Sequence, residues 1–151
     1  MLLRTALFLL CLLPWGILSA QSTRTDLLFA LNAALKSQNR AGVAKCFNFE
    51  GADEATRKSM AAVITEICAW PTHHVFTTER QGSGPLRTER DGKTLTLNGD
   101  WTFQVHVFLK EPPSKGFVFP AGEVGSKCLL LTMVPLESAA KPSGSPSKKA
   151  P

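Results

Sequence analysis

Trp101-Thr102-Phe103-Gln104-Val105-His106-Val107-Phe108-Leu109 decides how the chain is read. Trp101, Phe103, Val105, Val107 and Leu109 alternate with Thr102, Gln104, His106 and Phe108, and an extended strand sends successive side chains to opposite faces. One face is strongly apolar and the other mostly polar, the pattern of an antiparallel strand packed on one side and wet on the other. Phe108 is the one large apolar residue on the polar side.

Outward from this strand the period of two persists as far as Thr72. Toward the C-terminus, Pro112-Pro113 ends the strand and Phe117-Val118-Phe119 predicts a short one. Gly122-Glu123-Val124-Gly125 then predicts a turn into a buried strand over 127–134. Toward the N-terminus, Asn98-Gly99 offers a tight turn. Asp91-Gly92, between strands at 86–90 and 93–97, is the stronger hairpin signal because both residues accept positive φ. Gly82-Ser83-Gly84-Pro85 reads as a loop and His74-Val75-Phe76-Thr77-Thr78 as a strand.

Before Thr72 the period is 3.6. Asp53 is a good N-cap for a helix whose stripe is Met60, Val63, Ile64, Ile67 and Cys68, and Pro71 stops it. A short helical piece is expected over 41–47, with Val43 and Phe47 on one side. Thr23-Arg24-Thr25-Asp26 resembles a capping box, and Leu27, Leu28, Leu31, Ala34 and Leu35 continue it as a helix ending near Asn39. Two to three helices followed by four to six antiparallel strands predict an α+β fold, with the helices packed on one face of a curved sheet.

The rest of the chain bounds the setting. With 151 residues, 44% hydrophobic, the chain fits one compact domain, placed at 21–137. Residues 1–20 read as a secretory signal peptide: Arg4 opens it, an apolar run follows, and Leu18-Ser19-Ala20 resembles a cleavage site. The expected destination is periplasmic or extracellular. That run is shorter than the roughly 20 apolar residues a spanning helix needs, and no other stretch approaches this length, so an integral membrane protein is not expected. Residues 138–151 read as a disordered Lys/Pro/Ser tail, too poor in apolar side chains to offset ordering. Without Arg4 the 17 Lys+Arg become 16 against 12 acidic residues, a net charge of +4, of which Lys141, Lys148 and Lys149 supply three. Nucleic-acid binding is disfavoured, since the basic excess lies in a tail and not in a stripe.

Cys46, Cys68 and Cys128 remain after the leader. An oxidising destination makes one disulfide expected, and Cys46 with Cys68 is the favoured pair, worth about 3 kcal/mol by loop closure. The other reading is three buried free thiols. Cys128 in Cys128-Leu129-Leu130-Leu131 reads as a small core hydrophobe. No spacing matches a metal site, and no phosphate loop, dinucleotide fingerprint or nucleophile elbow occurs, so neither a metal nor a cofactor is expected.

The element order, with Leu31-Asn32-Ala33-Ala34-Leu35 and Lys127-Cys128-Leu129-Leu130-Leu131, resembles the nuclear-transport-factor-like, or SnoaL-like, cone fold. A leader followed by one such domain looks like exported bacterial proteins of that group; a cystatin-like fold writes a similar pattern. The resemblance implies a pocket between sheet and helices, which in the enzymes of the group holds an Asp/His acid–base pair. The sequence offers only His73, His74 and Glu79 as catalytic candidates. His73 and His74 are adjacent in a strand and so face opposite ways, while Glu79 is the carboxylate nearest to facing inward. The reading is therefore a non-enzymatic exported module that binds a small apolar ligand or a protein partner. Its rivals are a cone-fold isomerase, cyclase or hydrolase, and a self-associating protein that pairs through the face carrying Phe108, as a homodimer.

Overall fold

The computed structural model describes residues 23–109 and 115–136. The signal peptide read at 1–20 and the tail read at 138–151 lie outside the described residues.

Helix α1, Arg24–Lys36, begins where the capping box places it: the Asp26 amide donates to Thr23 Oγ1 at 3.1 Å and the Thr23 amide donates back to Asp26 Oδ2 at 3.1 Å. It ends before Asn39, because Gln38 turns into the left-handed region at φ 52. Asn39 instead caps α2, Arg40–Ala44, by accepting the Gly42 amide. That helix is shorter than expected because the chain leaves it to bridge a strand: Leu130 donates to the Cys46 carbonyl at 2.8 Å and Asn48 donates to the Leu130 carbonyl at 2.7 Å. The result is a parallel bridge between Phe47 and Leu130. Helix α3, Glu54–Ala69, starts on Asp53, whose carboxylate accepts the Thr56 amide at 2.8 Å. It stops at Trp70, held extended before Pro71 at ψ 138.

Among the described residues seven strands follow: β1 His73–Glu79, β2 Arg87–Arg90, β3 Lys93–Leu97, β4 Asp100–Leu109, β5 Gly116–Val124, β6 Lys127–Leu130 and β7 Met133–Pro135. They make two antiparallel sheets, a curved one in the order β1-β4-β5-β6 and a small one in the order β2-β3-β7. The fold is α+β, with three helices ahead of the sheet. The Asp91-Gly92 hairpin forms as expected, with φ 53 and 73.

Two sequence expectations are corrected. Asn98-Gly99 is not a hairpin turn: β3 and β4 belong to different sheets, and these residues carry the chain between them. Residues 127–134 are not one strand. The run divides at Leu131-Thr132, where Leu131 donates to the Pro120 carbonyl and Thr132 donates to Asn98 Oδ1 at 2.9 Å, turning the chain into the second sheet.

The helices lie on the inner face of the four-stranded sheet. Leu27, Leu31 and Leu35 of α1 and Ile64 and Ile67 of α3 join Phe103, Val105 and Val107 of β4 in one cluster. Phe119 and Ala121 of β5 and Leu130 of β6 complete it. β4 bulges between Trp101 and Phe103, opposite Gly122, where any Cβ would collide with the Asp100 carbonyl oxygen. Glycine is required there by the close approach of two backbones.

Cys46, Cys68 and Cys128 are all buried and none is in a disulfide, so the favoured Cys46–Cys68 bridge is not formed. Each thiol packs as a small apolar group in the cluster, and Cys46 Sγ also donates to the Gly42 carbonyl. No helix among the described residues is long and apolar enough to cross a membrane.

Candidate functional site

The two faces of the four-stranded sheet differ completely. The register puts His74 beside Phe108, Phe76 beside His106 and Thr78 beside Gln104 on the face away from the helices. From the other side of β4, Gly116 lies beside Phe108 and Val118 beside His106. Alternation alone sets this, because the intervening Val75, Val105 and Val107 are held by the core.

On this outer face four rings form one layer. Phe76 stacks on His106 at 4.6 Å between centroids and 10° between planes, and on Phe108 at 6.0 Å and 11°. His106 and Phe108 stack at 6.1 Å, and His74 meets Phe76 edge-on at 5.2 Å. Phe108 lies across Gly116 so closely that a Cβ there would enter the ring. The absence of a side chain at 116 is what lets the layer lie flat. His106 is held by a second contact, Nε2 to the Thr78 hydroxyl at 2.9 Å. No described residue covers the layer: Phe76 is 38% and Val118 47% exposed.

The three residues singled out for chemistry are not brought together. His73 and Glu79 stand at the two ends of β1, about 20 Å apart for six residues of extended chain. His73 is half-buried beside Trp70, and its Nε2 donates to the Ile67 carbonyl at 2.6 Å. It borders a cavity of about 270 Å³ with Asn32, Lys36 and Gln38. His74 belongs to the outer layer instead. Glu79 has an inward position in the register, but at the strand end its side chain reaches solvent, 76% exposed. There it accepts from Arg24 at 2.7 Å, and that hydrogen bond, helped by the guanidinium charge, holds its carboxyl below the ordinary range. Arg24 also lies over the Phe103 ring at 4.3 Å.

Cys68 and Cys128 are poor nucleophiles. Burial pushes Cys68 up from the ordinary thiol value, against a weaker pull from Arg40. Cys128 is raised by burial first and by Glu123 second. Among the described residues no group of three His, Cys, Asp or Glu is placed to hold a metal ion.

Sequence reading found Phe108 and His106 on one face but missed Phe76 and Val118. Both had the signal of alternation, Phe76 within 74–78 and Val118 within 117–119, yet only the cross-strand register shows that they meet. The chain matches no protein-family model, no curated protein and no solved structure.

Proposed function

We propose that this protein is an exported, non-enzymatic binding module that docks a protein partner on the open face of its four-stranded sheet, the partner being a second copy of the chain. The observation that carries the reading is the uncovered ring layer of Phe76, His106 and Phe108 with Val118 beside it. An exposed aromatic row loses free energy to water at roughly 25 cal/mol per Å² of apolar surface, and covering it recovers that amount.

A second copy suits the row because a two-fold contact sets one patch against itself, which demands a surface that does not repel its own image. The layer and its border consist of phenylalanine, histidine, valine, threonine and glutamine side chains, without a carboxylate, lysine or arginine among them. Catalysis is the weaker reading: His73 and Glu79 are separated by the length of β1, and Arg24 holds Glu79 as a carboxylate. Export rests on the leader-like residues 1–20.

Sedimentation velocity on the purified protein at high micromolar concentration tests the assignment. The expected result is a dimer that Phe76→Asp and Val118→Asp each convert to monomer, with an unchanged circular dichroism spectrum. A monomeric wild type, or a dimer indifferent to both substitutions, overturns the reading.

A further inference from the structure

Away from the sheet, α2 and α3 leave a groove of about 360 Å³ between them. Its walls follow from side-chain size: Ala41 and Ala44 on α2 face Ala61 and Ile64 on α3, and Phe49 closes one end. Three alanines where larger residues would fill the gap keep the helices from sealing it. At about 30 Å³ per water-sized group, the volume admits roughly a dozen heavy atoms.

The charged groups at this groove have one sign. Arg40 and Arg57 line it, and no carboxylate among the described residues does. Arg57 is positioned by the loop before α3: Nη2 donates to the Phe49 carbonyl at 2.8 Å and Nε to the Ala52 carbonyl at 3.1 Å, with the guanidinium 5.8 Å from the Phe49 ring centroid. Its Nη1 is used by neither bond. Arg40, the first residue of α2, is exposed. An apolar trough bordered by two guanidiniums is complementary to a molecule with an apolar body and an anionic head.

We infer that the α2–α3 groove binds a small amphiphilic carboxylate, its chain along Ala41, Ala44, Ala61 and Ile64 and its carboxylate at Arg40 and Arg57. This is independent of docking at the sheet, which lies on other elements. The groove is apolar over most of its wall, so the chain supplies most of the affinity and the arginines supply the preference for an anion.

Titration with sodium octanoate and with 1-octanol, followed by amide chemical shifts of the ¹⁵N-labelled protein, tests the site. Octanoate should give saturable shifts at Ala41, Ala44, Ala61 and Thr65, with a Kd of about 1 mM for a ligand of this size. Octanol should bind about threefold more weakly, the effect expected of solvent-exposed ion pairs, and Arg40→Gln should narrow that difference. Ala61→Trp, at an exposed helix position, should fill the groove and abolish the shifts while the rest of the spectrum reports an intact fold. The inference is overturned by shifts centred elsewhere, by an absence of saturation, by equal binding of octanol, or by binding that survives Ala61→Trp.

Discussion

The two sheets differ in how much hydrogen bonding attaches them to the helices. The four-stranded sheet is held by a dry layer: Leu27, Leu31, Leu35 and Ile67 against Phe103, Val105 and Val107, each 0–2% exposed. The three-stranded sheet buries Leu95 and Val134 outside that cluster, and a network of hydrogen bonds ties it to the helices. Arg90 on β2 reaches both oxygens of Asp53 at 2.9 Å and also Thr56 Oγ1, while the Thr56 hydroxyl donates to the Met133 carbonyl on β7. Asn98, between the sheets, donates to the Asn48 carbonyl and to Thr132 Oγ1 and accepts the Thr132 amide. Asn48 Nδ2 returns a bond to the Asn98 carbonyl at 2.8 Å. A dry layer tolerates changes of pH and is sensitive to volume, whereas a hydrogen-bonded clasp is sensitive to geometry and charge.

Removing volume from the dry layer should have the largest effect. Leu31→Ala should destabilise the protein by about 3 kcal/mol, read from urea midpoints, because a fully buried leucine leaves a cavity. A cost under about 1 kcal/mol would show that the helices sit loosely on the sheet.

Asn98→Ala should cost about 2 kcal/mol, chiefly because the Thr132 amide and the Asn48 and Glu50 carbonyls lose a partner. Hydrogen exchange sharpens the distinction: protection should fall in β3 and β7 and persist in β4 and β5. Uniform loss across both sheets would mean that the clasp and the dry layer form one cooperative unit.

The smallest effect should depend on pH. Asp53 is lowered from 3.8 to about 2, first by the backbone hydrogen bond from Thr56, then by the Thr56 side chain, and further by Arg90. A carboxylate depressed in the folded state contributes stability that is fully present above its unfolded value of 3.8 and is lost as pH falls toward about 2. Asp53→Asn keeps a residue that caps helices well and removes the titration. Urea midpoints compared at neutral pH and near pH 3 should therefore fall less for the variant than for wild type; equal falls would remove Asp53 from the acid response.

The difference between the sheets also explains what was legible in the sequence. Alternation in 101–109, the capping box at Thr23, the Asp53 cap and the Asp91-Gly92 turn are local devices, and each is realised where it is written. The break in 127–134 and the role of Asn98 depend on contacts between residues 34 and 50 positions apart, which no local pattern encodes. The outer layer follows the same division. Phe108 and His106 share a face by parity within one strand, but their stacking on Phe76 needs the β1–β4 register. The groove at Ala41, Ala44 and Ala61 depends on how two helices meet, and small residues in a helix carry no mark of that.

The bridge between Phe47 and Leu130 bears on assembly. Leu130 of β6 both donates to Cys46 and accepts from Asn48, so the segment after α2 occupies backbone groups along that border of the four-stranded sheet. At the opposite border β1 has β4 as its only strand neighbour among the described residues. The two borders are thus unequal, and a chain of molecules joined border to border would need both. Such a sheet is one-ended: joined by its borders alone, it favours a closed pair over an open fibre.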